Sequence, residues 1–241
     1  MRRAAGIILA ALLFSCIIYA FTFVKTYDYS SSDYYYTNPV EGGMANETVT
    51  EHYLDNTKNE TGAINAVTAI VVEYRGFDTL GEVTILFTAS TGVSMLLYAL
   101  HEKRKRREAN LIVKEGSKIV LPFILLTGGY IFIHGHLTPG GGFPGGSVIA
   151  SGFLLMMVAY PKYFLKEHRI SITESIAGFV FIIMGLLGLV FASYFLQNFL
   201  PLGNVGMLFS AGIIPVIYIA IGFKVGAELS GIINNLKGVE E

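Results

Sequence analysis

Between Ile119 and Tyr160 the chain carries no Asp, Glu, Lys or Arg. Two apolar runs, Ile119–Ile133 and Val148–Tyr160, are interrupted only by His134-Gly-His-Leu-Thr-Pro-Gly-Gly-Gly-Phe-Pro-Gly-Gly-Ser147. A backbone inside hydrocarbon has to bond its own peptide groups, so runs of this kind form membrane helices. The glycines between them allow tight backbone paths and close approach, while Pro139 and Pro144 restrict how the chain turns. The stretch reads as the bend of a helical hairpin, with Pro139, Gly140, Gly141, Gly142, Phe143, Gly145 and Gly146 as a structural hinge. The rest of the chain supports a membrane setting. It is 53% hydrophobic and 15% charged, where a soluble domain carries about a quarter charged residues. A net charge of −1 gives no reason to expect nucleic acid, and one cysteine, Cys16, excludes an internal disulfide framework or a cysteine metal cluster.

Taken in order, Arg2 and Arg3 precede Ala4–Val24, an uncharged run long enough to cross a ~30 Å hydrocarbon core. A signal peptide is the rival reading, with Leu-Phe-Ser-Cys16 similar to a lipoprotein cleavage site. Apolar residues continue well past Cys16, so the run is taken as an uncleaved first helix. Residues 25–62 are polar, Tyr-rich and irregular, and hold the sequons Asn46-Glu-Thr and Asn59-Glu-Thr. Ala63–Val72 is too short to span. Its Val67, Ile70 and Val71 at helical spacing suggest an interfacial or re-entrant helix stopped by Gly76. Val83–Leu100 reads as the second span, followed by the basic segment Lys103-Arg-Lys-Arg-Arg107, best taken as a topology anchor. Further spans are expected at 119–137, 145–161, 174–197 and 206–230. The expectation is an all-α polytopic membrane protein with about six transmembrane helices and one short interfacial or re-entrant helix. Arg2/Arg3, the 103–107 run, Lys162/Lys166/Arg169 and Lys237 fall on alternate connections, which puts both termini in the cytoplasm and the glycine hinge outside.

Several polar residues could carry ions. Glu73, Asp78 and Glu82, with Arg75, cluster before the second span. Thr79-x-x-Glu82 fits a capping box, and Arg75 can pair with Asp78 or Glu73; equally, a carboxylate at a membrane edge can bind Na⁺ or pass a proton. His134 and His136 offer two metal ligands without an obvious third, structural hydrogen bonding, or a titrating group beside a proton path. Lys224 and Glu228 share a face of the last helix, where snorkelling with a mutual ion pair competes with a proton relay. The hinge lacks the Gly-Lys-Ser/Thr ending of a phosphate loop. No catalytic arrangement, cofactor site or metal site is expected in this chain.

Two motifs carry a family resemblance. Gly-His-Leu-Thr-Pro-Gly-Gly-Gly-Phe-x-Gly-Gly at 135–146 resembles the signature of the B subunit of Mrp-type multisubunit Na⁺/H⁺ antiporters. Asn65 to Glu82, with Arg-Gly-Phe-Asp-Thr-Leu-Gly-Glu at its end, resembles the C-terminal region of the A subunit. The large proton-channel portion that precedes this region in the A subunit is not in the sequence. That combination is similar to the Mrp-derived sodium module of archaeal membrane-bound hydrogenases and related sulfur-reducing complexes. The resemblance implies an A-like region at 1–102, a basic cytoplasmic linker at 103–117 and a B-like domain at 118–241. It also implies a non-redox subunit of the cell membrane, with other membrane subunits as partners and Na⁺ and H⁺ as the transported ions. A subunit of a stand-alone antiporter and a purely structural packing subunit stand as alternatives.

Overall fold

A computed structural model describes Ser15 and residues 35–40, 43–99 and 109–237. Apart from Ser15, the first expected span, Ala4–Val24, lies outside the described residues, as does the basic run 103–107. The chain forms two compact units, Met1–Glu51 and His52–Glu241. The first holds an antiparallel hairpin of β1 (Tyr35–Val40) and β2 (Gly43–Thr48), with Tyr35 opposite Thr48 and Val40 opposite Gly43. Tyrosine, threonine and valine suit a pleated ribbon, and Pro39 is tolerated because a two-stranded ribbon has an open edge. Part of the stretch read as irregular is therefore paired, and Asn46 lies in β2.

Helix α1 (Val49–Thr61) follows and contains Asn59. It ends at Gly62, whose φ of +70 closes a helix at little cost only for glycine. Next come the short helix α2 (Ala66–Ala69), a π-helical turn (Ile70–Tyr74) and α3 (Gly76–Ala99). The expected short helix is present and continues through the π turn; it stops at Arg75, whose φ of −128 and ψ of 41 are not helical, and α3 starts afresh at Gly76.

Four more long helices complete the chain: α4 (Leu111–Ile133), α5 (Gly142–Ala159), α6 (Glu167–Phe191) and α7 (Ile214–Lys237). Among the described residues five helices, α3 to α7, are long and apolar enough to cross a membrane. The fold is that of a polytopic helical membrane protein. Helix α7 is its centre and packs against α3, α4, α5 and α6. In α7 56% of the apolar stretch is buried, against 6% in α3, whose outer face is left bare by the other described residues. Along α3, Thr84, Thr88, Thr91 and Ser94 return their hydroxyls to carbonyls one turn back, which satisfies them without water.

Helix boundaries differ from the sequence expectation: α3 begins at Gly76 and α6 at Glu167, each upstream of its expected start. Helix α4 begins at Leu111, capped by the Asn110 side chain, which accepts from Val113 N. Residues 192–213, apolar and partly assigned to spans, form an irregular segment. Gly203, Gly206 and Gly212 have φ between +53 and +92, and Leu196 and Ala211 reach +64. Asn198 holds this segment: its Nδ2 donates to Ala211 O, and its Oδ1 accepts from Leu200 N and Ile213 N.

Small residues set the close helix contacts. A Cβ on Gly128 of α4 would lie 3.0 Å from Gly145 O, and one on Gly145 of α5 would lie 2.8 Å from Gly128 O. A Cβ on Gly146 would come within 2.7 Å of Gly222 O on α7. Backbones this near each other leave no space for a methyl group, the packing that glycine allows between membrane helices.

Candidate functional site

The bend between α4 and α5 is shorter than its motif. His134 closes α4, and Gly141, with φ +133, precedes the first residue of α5. Gly142, Phe143, Gly145 and Gly146, read as hinge, are helical, and the glycines among them serve helix contact. The turn proper is 134–141. Leu137 N and Thr138 N donate to His134 O, and Gly141 N donates to Ile131 O. Gly140 is confined by Ile131 O, 2.8 Å from where a Cβ would stand, and Pro139 is exposed. Gly135 lies against the ring of Tyr218, 2.6 Å from its would-be Cβ.

The turn leaves carbonyls pointing outward, and the segment after α1 satisfies them. Thr68 Oγ1 donates to Gly135 O at 2.6 Å. Asn65 Nδ2 donates to Gly135 O at 2.9 Å and Thr138 O at 3.1 Å. Ile64 N and Asn65 N both donate to His136 O. Tyr218 Oη donates to Thr68 Oγ1 at 3.0 Å. The two sequence motifs, some 70 residues apart, thus meet through four hydrogen bonds in one polar joint, and Ile64, just before the first motif, adds a fifth. Asn65 also caps α2 by accepting from Val67 N.

The two histidines of the bend part company. His134 stacks on Tyr130, with ring centres 4.2 Å apart, and its Nδ1 faces Tyr130 O. His136 is fully buried, and neither ring nitrogen has a hydrogen-bond partner among the described residues. Burial holds its pKa below the usual histidine range. Among the described residues no three His, Cys, Asp or Glu side chains gather to hold a metal ion.

The carboxylates before and within α3 also separate. Thr79 does not cap a helix: it lies inside α3, and its Oγ1 donates to Val71 O in the π turn at 2.5 Å. The expected capping box is replaced because the helix already begins at Gly76. Glu82 is therefore a helix-interior residue with an exposed side chain. Arg75 pairs with Asp78 at 2.5 Å, both exposed.

Glu73 is different. Its Oε1 accepts from Asn198 N at 3.3 Å, and its Oε2 is buried without a partner among the described residues. Burial raises its pKa to about 7, the Asn198 amide opposes that, and the negative charge of Glu60 adds to it. Glu60 accepts from Tyr74 Oη at 2.5 Å, and Tyr74 stacks on Tyr53 with centres 4.6 Å apart. Burial, then the Glu60 contact, push the Tyr74 phenol well above its ordinary range.

Towards the other end of the helices Lys224 Nζ lies 2.7 Å from Glu228 Oε1, 3.9 Å from Glu174 Oε1 and 5.0 Å from the centre of the Phe87 ring. Lys224 is 9% exposed and Glu228 1%. Snorkelling is thus corrected: this face of α7 is covered by α3 and α6, so the pair lies inside the protein. The sequence expectation, which starts a span at 174, passes over Glu174, whereas α6 begins two turns earlier at Glu167. The seven-residue spacing of Glu167 and Glu174 on one helix face was the available signal.

Residues 112–231 match the model of a domain related to the MnhB subunit of Na⁺/H⁺ antiporters, and residues 33–117 match that of MbhE, a subunit of MBH. A chain of the membrane-bound sulfane sulfur reductase, an archaeal respiratory membrane complex, is 44% identical, with all of both chains covered and a TM-score of 0.74. An uncharacterized protein of Methanocaldococcus jannaschii is 29% identical over 69% of this chain and 74% of its own length. A chain of the Mrp complex from Dietzia sp. DQ12-45-1b shares the fold, with a TM-score of 0.66 and 23% identity, over 99% of this chain and 26% of that one. The chain belongs to the family in which an MbhE region is joined to a domain related to the MnhB subunit of Na⁺/H⁺ antiporters.

Proposed function

We infer that this chain is a non-redox membrane subunit of the Mrp-type Na⁺/H⁺-translocating module of an archaeal-type, ferredoxin-driven hydrogenase or sulfur reductase complex. The observation that carries the reading is the 44% identity, over the full length of both chains, with a chain of the sulfane sulfur reductase. The MnhB-related region supports its antiporter side. The three parts of the chain, 1–102, 103–117 and 118–241, take the roles of A-like region, cytoplasmic linker and B-like domain. By its alternating basic connections the protein sits in the cell membrane with both termini in the cytoplasm.

Its ion-handling groups lie in two tiers. Glu82, Asp78 and Glu73 form the first, beside the polar joint. Glu73, with a pKa near 7, exchanges a proton at neutral pH, and Glu82 presents a hard oxygen ligand on the bare face of α3. Lys224 and Glu228 form the second. His136, buried in the bend, and His134 are further candidates. The bare surface of α3 calls for partner helices, so packing and transport belong to one role.

The test is a mild-detergent purification through a tag on this chain, followed by reconstitution in vesicles. The expected product is a large complex that moves Na⁺ or H⁺ when reduced ferredoxin is oxidised. Copurification with full-length antiporter subunits and no iron–sulfur subunit would favour the stand-alone antiporter. Transport by the purified chain alone would overturn the subunit reading.

A further inference from the structure

Between α3, α6 and α7 lies a cavity of about 660 Å³. It occupies the halves of these helices remote from the 134–141 bend. Ser90, Thr91 and Ser94 of α3, Glu167 and Glu174 of α6, and Glu228 of α7 give it an oxygen-rich wall. Three carboxylates and no Lys or Arg stand among its described lining residues. At roughly 30 Å³ per water the space holds about twenty waters, so an ion can enter with much of its hydration shell.

The inner end of the cavity is where the chemistry is unfinished. Glu228 is 1% exposed, and its Oε2 has no hydrogen-bond partner among the described residues. Its other oxygen faces Lys224 Nζ, which also lies 3.9 Å from Glu174. A buried carboxylate oxygen left unpaired is costly, and within a membrane span such a group faces water or a ligand. An ion pair formed only for packing would need neither a second carboxylate nor an open, hydroxyl-lined space beside it. Lys224 stands where a mobile cation would be drawn, tethered there by its own side chain.

We propose that this cavity binds a hydrated monovalent alkali cation between Glu174 and Glu228, in competition with the Lys224 ammonium. The inference deepens the ion-translocation reading and rests on it for the use made of the site. Glu167, two helical turns before Glu174, draws cations in at the mouth. Asn235 Nδ2, which donates to Ser94 Oγ at 2.8 Å, ties α7 to α3 across the space. When a cation enters, Lys224 leaves the carboxylates and rests on the Phe87 face, already 5.0 Å away, where the ring quadrupole holds its charge. When the cation departs, the ammonium returns. One positive charge is exchanged for another, so the two carboxylates are never left without a counter-ion.

The experiment measures equilibrium binding of ²²Na⁺ to the intact purified complex, beside its Na⁺-dependent turnover. Glu174→Gln is expected to raise the Na⁺ concentration for half-saturation about tenfold. Lys224→Gln, which removes the competitor, is expected to lower it about tenfold. Glu115→Gln, on the exposed surface of α4, serves as the control and leaves it unchanged. An assembled Glu174→Gln complex that binds Na⁺ like wild type overturns the site, as does weaker binding in Lys224→Gln. Unchanged Na⁺ dependence with a displaced pH profile overturns it in favour of a proton relay. If Lys224→Gln does not assemble, Glu174→Gln alone decides. Should the binding shifts be found in a complex that moves no ions, the site stands and the transport reading falls.

Discussion

Asn65 is the residue on which the meeting of the two motifs can be measured. Its Nδ2 donates to Gly135 O and Thr138 O, while its Oδ1 caps α2 by accepting from Val67 N. Asn65→Asp keeps the capping oxygen and removes both donors, and it turns a carboxylate toward two carbonyls. Two neutral hydrogen bonds at about 1 kcal/mol each make the loss about 2 kcal/mol before repulsion is counted. At 1.4 kcal/mol per factor of ten, the bend should open about 30-fold more often. Hydrogen exchange of the Leu137 and Thr138 amides, bonded within the bend, and of the Gly141 amide, bonded back to Ile131 of α4, reads that opening in the detergent-solubilised complex. Asn65→Ala also loses the cap, about 1 kcal/mol more, and should loosen the amides of α2 as well. Exchange in Asn65→Asp within about threefold of wild type would mean that the bend holds itself and that the two motifs are merely neighbours.

The remaining predictions address charge, packing and topology. Glu73 has a folded-state pKa raised from 4.5 to about 7, so the folded state binds the extra proton between those values. Order around the π turn and Asn198 should therefore be greatest below about pH 4.5, decline as pH rises towards 7 and then level off; Glu73→Gln should abolish that slope in a pH series of hydrogen exchange. Glu82→Gln should leave assembly intact and depress Na⁺-coupled transport per complex severalfold; near-normal transport would remove Glu82 from the path. Gly145→Ala should cost about 1–3 kcal/mol, seen as a lower melting temperature of the complex, because its methyl group would press on Gly128 O. In a Cys16→Ser background, Ser31→Cys and Ser171→Cys should label from opposite sides of the membrane, and labelling from one side would refute the orientation.

Composition and charge placement were enough to establish a polytopic helical membrane protein. Uncharged apolar runs have one general way to satisfy their backbones in lipid, so α3, α4 and α5 could be found from local sequence alone. The motif glycines also announced themselves, but not their purpose. Gly145 and Gly146 read as freedom to bend, whereas they are places where a neighbouring backbone comes too close for a Cβ. That distinction depends on the partner helix, which no local window contains. The same holds for residues 192–213, apolar enough to pass for helix and held irregular by Asn198. Thr79-x-x-Glu82 has the letters of a capping box, yet α3 already begins at Gly76, and the upstream π turn gives Thr79 a different acceptor. Lys224 and Glu228 were legible as a pair from their spacing. Their burial, and the second carboxylate at Glu174, were decided only when α3 and α6 closed over that face of α7. Spacing along a helix determines which side chains share a face, but what that face meets depends on helices distant in sequence.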